Sequence, residues 1–182
     1  MTCLSFPCLS GKLINLRELT MDDAITIVNL MDYEIAKNLY QVPNPYRIED
    51  ALNFIKSSYD DFKLHKAITF AIDYKNKSIL LLAGTIGIKD IDYVNKKADI
   101  GYWIGKQYQG KGIATECVKL VVNYAFDELK LEEILAYVFL DNKQSIRVLE
   151  KNGFVKTPAE ANEYHHISNS YRNSLIYTIK KE

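Results

Sequence analysis

The order of elements in this 182-residue sequence predicts an α+β fold built around a mixed sheet. Three observations support it. A strand pattern and two helical patterns are followed by a run of strands. An amphipathic helix then separates two further strand patterns. One of these, residues 133–140, is dense enough in apolar residues to be a central strand covered on both faces. The length fits one domain over residues 1–182, with residues 1–11 as an N-terminal lead segment.

Each element has a local reason. Residues 13–19 (LINLREL) alternate apolar and polar, the period of a half-buried strand. Thr20 and Asp23 have capping-box spacing, and residues 21–31 then read as a helix. Pro43 and Pro45 make residues 42–46 a loop. Residues 47–66 return to a helical period. Residues 67–74 and 79–88 form two strands of a hairpin, and 97–105 form another with Ile100, Tyr102 and Ile104 alternating. A helix from Gly112 has Ile113, Cys117, Leu120, Val121 and Tyr124 on its apolar face. Asp141 or Asn142 caps a short helix that Gly153 ends. The tail reads as a strand near Phe154, a polar loop around Pro158 that includes His165 and His166, and a last strand over residues 174–179.

Composition removes several function classes. Lys+Arg and Asp+Glu are both 23, so no large electrostatic field draws the chain to nucleic acid or to a membrane. The longest apolar stretch, residues 79–88, is half of the roughly 20 residues a membrane span needs. Three cysteines without a CxxC (Cys3, Cys8 and Cys117) indicate reduced thiols and a cytoplasmic chain. The N-terminus lacks a basic segment and Pro7 breaks its apolar run, so no signal peptide is expected. Cys117 falls on an apolar helix face, as a buried inert thiol would. No further Cys or His lies at ligand spacing from His165 and His166, so no metal is expected.

The stretch GKQYQGKGIA, residues 105–114, is shaped for phosphate. It begins like a Walker A loop, G-x-x-x-x-G-K, but Gly112 stands where the magnesium-binding Ser or Thr belongs. A dinucleotide fingerprint fails as well, because Thr115 occupies the place of the third glycine. The remaining parse is Q-x-x-G-x-G, from Gln107 through Gly110 and Gly112. A strand stops, glycines let backbone N–H groups converge, and a helix begins. Such a nest binds a diphosphate without metal, and Lys106 and Lys111 add charge. A plain strand-to-helix turn would need the same two glycines.

Downstream residues separate these readings. Residues 100–116 together with Asn142, Ser145, Leu149 and Gly153–Phe154 resemble the GNAT superfamily of N-acetyltransferases, in particular its ribosomal-protein (RimJ/RimL) type. The opening LREL and MDDA segments and the GTIGI and ADIGYWI strands extend the likeness over roughly residues 12–180. The resemblance implies a mostly antiparallel twisted sheet flanked by helices and splayed between its fourth and fifth strands. It also implies that acetyl-coenzyme A is the acyl donor, with a primary amine as acceptor. That acceptor is the N-terminus of a ribosomal or other protein, or a small amine such as a polyamine or antibiotic. A non-catalytic acyl-coenzyme A-binding module on the same scaffold is the reading from another class.

Carried over by position, the backbone from Gln107, Tyr108, Gln109, Gly110 and Lys111 to Gly112, with Ile113 and Ala114, would cradle the pyrophosphate. Ile104 would run beside the pantetheine arm, and an N–H near Trp103–Ile104 would polarise the thioester carbonyl. Asn142 would bind the cofactor, cap a helix, or do both. Ser145 matches the serine that serves the leaving thiolate, while Leu149 stands where many relatives place a tyrosine. Glu163 resembles a general base, with Asp99 as the fallback. Tyr40, Tyr46 and Tyr108 are candidates for an acceptor groove. Asp32, Glu34 and Glu160 could add acid to it. Exposed edge strands allow a homodimer.

Overall fold

The computed structural model describes residues 5–181, with Glu163 described by its backbone alone. Eight strands form one sheet in the order β1-β2-β3-β4-β5-β6-β8-β7. They are β1 (Leu9–Ser10), β2 (Ile14–Glu18), β3 (Ile68–Asn76), β4 (Ile79–Asp92), β5 (Lys97–Ile104), β6 (Glu133–Phe139), β7 (Val155–His165) and β8 (Ser170–Lys180). Five helices flank it: α1 (Asp23–Leu30), α2 (Tyr33–Ala36), α3 (Ile48–Lys63), α4 (Ile113–Asp127) and α5 (Lys143–Lys151). The expected α+β sheet is therefore present. Because the short β1 was not anticipated, the predicted fourth and fifth strands are β5 and β6.

Every neighbouring pair is antiparallel except β5 and β6, which run parallel. Parallel neighbours need a long crossover, and α4 supplies it. Their pairing lasts only three residues, Lys97–Asp99 against Glu133–Leu135. Beyond Asp99, β5 pairs with β4 alone, whereas β6 continues with β8 alone. The sheet splits there, as the resemblance implies.

Side chains alternate across this sheet. Phe70, Ile72, Ile86, Ile100 and Ile104 pack with Ile113, Cys117, Val121 and Leu149 from α4 and α5. Ala71, Leu82 and Trp103 pack with Ala24, Ile27, Ala51 and Ile55 from α1 and α3. Neighbours such as Trp103 and Ile104 thus face opposite cores, as the period of two demands. Cys117 is fully buried, and burial pushes its thiol up, so it behaves as the inert apolar group expected.

The last hairpin differs from expectation. Residues 158–165 are strand, not loop, and β7 pairs with β8 from Val155 to His165 across a bulge between Lys156 and Glu160. The bulge is where Pro158 sits, because proline cannot donate to a ladder. His165 is 2% exposed. Its Nδ1 lies 2.7 Å from Ser168 Oγ, and burial holds its pKa below the ordinary value.

One buried charge cluster fixes the start of the sheet. Arg17 on β2 donates to Asp23 at 2.8 and 2.9 Å and to Asp73 on β3 at 2.7 and 3.1 Å. Asp23 also accepts the Thr20 N–H at 2.8 Å. Half of the expected capping box forms: the Thr20 hydroxyl donates to Asp23 at 3.2 Å instead of capping the helix. Burial raises the Asp23 carboxyl, but the bonds from Arg17 and Thr20 outweigh it and leave the pKa lowered.

Arg17→Ala strands two carboxylates, whose side chains are 10% and 7% exposed, without their partner. The expected cost is about 3 kcal/mol, the low end for a broken buried pair because Arg17 itself is one-third exposed. Thermal unfolding checks it. A depressed folded pKa stabilises above the unfolded value and stops doing so as pH falls through the folded one. The wild type should therefore lose stability below about pH 4, and Arg17→Ala should show a weaker acid slope.

Candidate active site

Where β5 and β6 part, a cavity of about 850 Å³ opens. Its lining comes from both sides of the sheet. Asp32, Glu34, Ile35 and Leu39 belong to the α2 region, whereas Gly112, Ile113, Asn142, Ser145 and Arg147 belong to α4 and α5. A cavity walled by elements of opposite faces passes through the sheet plane at the split.

The open edge of β5 presents defined backbone groups. Gly105 N–H donates to Ala83 O on β4 at 2.8 Å. Successive residues of an antiparallel ladder turn their N–H groups to opposite edges, so the Ile104 N–H faces the gap and the Trp103 N–H faces β4. The Ile104 carbonyl, on the same edge, accepts the Gln109 side-chain amide at 2.9 Å.

The glycine turn follows immediately. Gly105 leads into a single 3-10 turn at Lys106–Tyr108, then Gly110 and Gly112 take positive φ of 74° and 82°. L side chains rarely adopt that region, so the turn needs both glycines. A Cβ on Gly110 would meet nothing within 4 Å, which leaves its surroundings open. The N–H groups from Gly110 to Thr115 take no hydrogen-bond partner among the described residues. They combine a converging turn with the positive end of a 15-residue helix. Glu116, the nearby carboxylate, is turned away and accepts the Lys12 and Leu13 N–H groups.

Across the gap, Asn142 caps α5 by accepting the Ser145 N–H at 3.1 Å. Ser145 therefore sits in the first turn of the helix, half-buried and facing the cavity. Its Oγ lies 2.9 Å from the Tyr102 hydroxyl on β5. Burial pushes that phenol up to about 12.

Most of the sequence candidates converge on this cavity. Trp103, Ile104, Tyr108, Gln109, Gly110, Gly112, Ile113, Ala114, Asn142 and Ser145 all line it. Gln107 and Lys111 do not. The Lys111 ammonium lies over the Tyr74 and Tyr108 rings, 5.3 and 5.5 Å from their centroids, where cation–π attraction holds it. Asp99 lies on β5 opposite Lys89, within the stretch still paired to β6, and does not line the cavity. The Glu163 side chain lies outside the described residues; its backbone sits in β7 opposite Arg172. Glu160 is exposed on β7 and outside the cavity lining. Tyr46 is buried enough for its phenol to be pushed to about 12, and it does not line the cavity. Tyr40 packs its ring on Phe139 and donates to Ser174 Oγ at 2.9 Å.

Sequence reasoning missed five contributors. Tyr102 read as an ordinary strand residue. Lys143, Arg147 and Lys151 recur every four residues on the cavity side of α5, a spacing that could have identified them. Arg172 was also missed. It donates to both Asp141 oxygens at 2.8 and 3.0 Å and to the Lys37 carbonyl at 2.8 Å, and lies 3.8 Å above the Phe139 ring. It thereby ties α2 to the end of β6.

Comparison with known proteins fits this geometry. The ribosomal-protein-serine acetyltransferase of Escherichia coli is 32% identical over 74 residues, 41% of either chain. The spermidine N(1)-acetyltransferase of the same organism is 25% identical over 170 residues, 93% of this chain and 87% of the other. A crystal structure of the Microcin C7 self-immunity acetyltransferase MccE, in complex with acetyl-CoA and AMP, superposes with a TM-score of 0.82 at 25% identity, covering 94% of each chain. The sequence profile of the acetyltransferase (GNAT) domain matches residues 14–155, so the chain belongs to the GNAT family of N-acetyltransferases.

Proposed function

We propose that this chain transfers the acetyl group of acetyl-coenzyme A to the α-amine of a protein N-terminus. The observation that carries the reading is the row of unpartnered N–H groups at Gly110–Thr115 beside the split edge of β5. A metal-free diphosphate needs such a row. Lys106, Lys143, Arg147 and Lys151 line the same cavity and complement further phosphate charge. Asn142 Oδ1 is used in capping, and its Nδ2 remains for the cofactor.

Bound acetyl-coenzyme A supplies an activated thioester, so no protein nucleophile is required. Each remaining task has a candidate in the chain. The Ile104 N–H, at the open edge, donates to the thioester oxygen as it gains charge. Ser145 donates to the sulfur as the carbon–sulfur bond breaks. The proton that the sulfur gains balances the one the amine nitrogen loses. An α-amine, with a pKa near 8, loses it far more easily at neutral pH than a lysine near 10.4. Glu163 is the proposed base, acting directly or through water.

The α2 side of the cavity, taken here as the acceptor end, favours a protein α-amine over a polycation. Its carboxylates are already engaged. Asp32 caps α2 by accepting the Ile35 N–H at 2.9 Å, Glu34 pairs with Lys37 at 2.6 Å, and Asp141 pairs with Arg172. The spermidine-acetylating relative supports a small polyamine as the second reading.

A thiol-release assay separates these acceptors. Peptides with a free α-amine should release coenzyme A, and the same peptides with a blocked α-amine should not. Release with spermidine alone would favour the second reading. No release with any amine, despite cofactor binding, would identify a non-catalytic module.

Gly110→Asp places a carboxylate where phosphate is expected. It should weaken coenzyme A binding by a hundredfold or more, on the order of 3 kcal/mol, in a calorimetric titration. Unchanged affinity would contradict the phosphate site. Ser145→Ala should lower kcat about a hundredfold, the low end for a proton donor, with little change in cofactor affinity. Wild-type turnover would remove Ser145 from the reaction.

A further inference from the structure

The Tyr102–Ser145 contact has no counterpart in the roles assigned so far. The two residues are 43 positions apart and come from opposite banks of the split, β5 and α5. Both line the cavity. The Tyr102 hydroxyl is 2.9 Å from Ser145 Oγ and 3.4 Å from the Ser145 carbonyl oxygen. A carbonyl can only accept, so the phenolic hydrogen lies on the Ser145 side; Oγ, at 2.9 Å against 3.4 Å, is its nearer acceptor, while the hydroxyl pair taken alone could be donated from either oxygen. Ser145 is the one residue that hydrogen-bonds this phenol among the described residues.

The direction of this bond matters for the serine. A hydroxyl has one hydrogen and two acceptor sites, and it rotates to suit its neighbours. If Ser145 donated to Tyr102, it would have no hydrogen for the sulfur. With Tyr102 as donor, one Ser145 lone pair is occupied and its hydrogen is free to point into the cavity. A donated bond also polarises the acceptor hydroxyl and strengthens its own donation.

We propose that Tyr102 is a positioning residue for acetyl transfer: it donates to Ser145 Oγ and so aims the serine hydrogen at the departing sulfur. The inference rests on the reading of Ser145 as the group that serves the thiolate. No proton leaves Tyr102. The amine nitrogen forms its bond to the acyl carbon, the carbon–sulfur pair leaves with sulfur, and one proton passes in net from nitrogen to sulfur. Burial keeps the phenol protonated to about pH 12, so Tyr102 stays a donor over the working range of any amine acetylation. The arrangement also accounts for Leu149, which stands one helical turn beyond Ser145 on α5 and is 1% exposed. A hydroxyl reaches the serine from the neighbouring strand, and Leu149 belongs to the core instead.

The test is a double-mutant cycle on the full chain with Tyr102→Phe and Ser145→Ala, assayed with whichever amine releases coenzyme A. Tyr102→Phe should lower kcat about tenfold, the worth of one hydrogen bond. The KM for acetyl-coenzyme A and the coenzyme A affinity should stay within about twofold, since no phosphate or amide contact changes. The double variant should be no slower than Ser145→Ala alone, because the tyrosine acts through the serine. If Ser145→Ala keeps wild-type turnover, the reading of Ser145 fails and this inference with it. If Ser145→Ala is slow but Tyr102→Phe turns over normally, only the inference on Tyr102 is overturned. It is overturned equally if the two losses multiply, or if Tyr102→Phe loses cofactor affinity and thermal stability in step with kcat, the signature of a structural tie. Tyr102→Leu serves as a check on packing: it should match Tyr102→Phe in kcat, and a much larger loss would assign the ring rather than the hydroxyl.

Discussion

Three residues of parallel pairing between β5 and β6 decide what the rest of this molecule can do. Had the ladder continued, the Ile104 N–H and carbonyl would be spent on β6 and no ligand could reach them. Because it stops, backbone groups that normally vanish into a sheet are left at an accessible edge. Unpaired backbone groups away from water are costly. The chain meets that cost in part with its own side chain: Gln109 takes the Ile104 carbonyl. On the other side β5 stays fully paired to β4, from Gly84 opposite Ile104 to Lys89 opposite Asp99, so the open edge is held rigid.

The site handles charge with little net charge to draw on. Formal charge over the whole chain is zero. In the proposed reading, main-chain dipoles at the turn ahead of α4 do the first part of the work. The cations on α5 add to it locally. Lys111, the most obvious phosphate ligand on paper, is drawn off by the Tyr74 and Tyr108 rings. Elsewhere charges are consumed in structure. Arg17 holds Asp23 and Asp73 together beneath α1, and Arg172 holds Asp141 beside the end of α2.

Local patterns carried much of this architecture in the sequence. The period-two stretches at residues 13–19, 67–74 and 97–105 and the amphipathic helix after Gly112 describe elements that form largely from their own residues. The glycine turn was readable for the same reason: Gly110 and Gly112 both need positive φ. The four-residue α2 was lost because one turn of helix has too little periodicity to show. The second half of strand β7 was read as loop because Pro158, Asn162 and the two histidines suggest one, and its pairing to β8 depends on a bulge that only the folded hairpin reveals. Contacts between distant positions, Tyr102 with Ser145 and Arg172 with Asp141 and Lys37, have no local signature at all.

Trp103 and Ile104 point to different cores although they are adjacent in the chain. The groups suited to holding an anion rest on one core, and α2 with its neighbours rests on the other. Substitutions on the α1–α3 side can therefore accumulate without disturbing the packing beneath α4 and α5. The two cores meet only through the sheet, whose strands β3, β4 and β5 each send side chains to both.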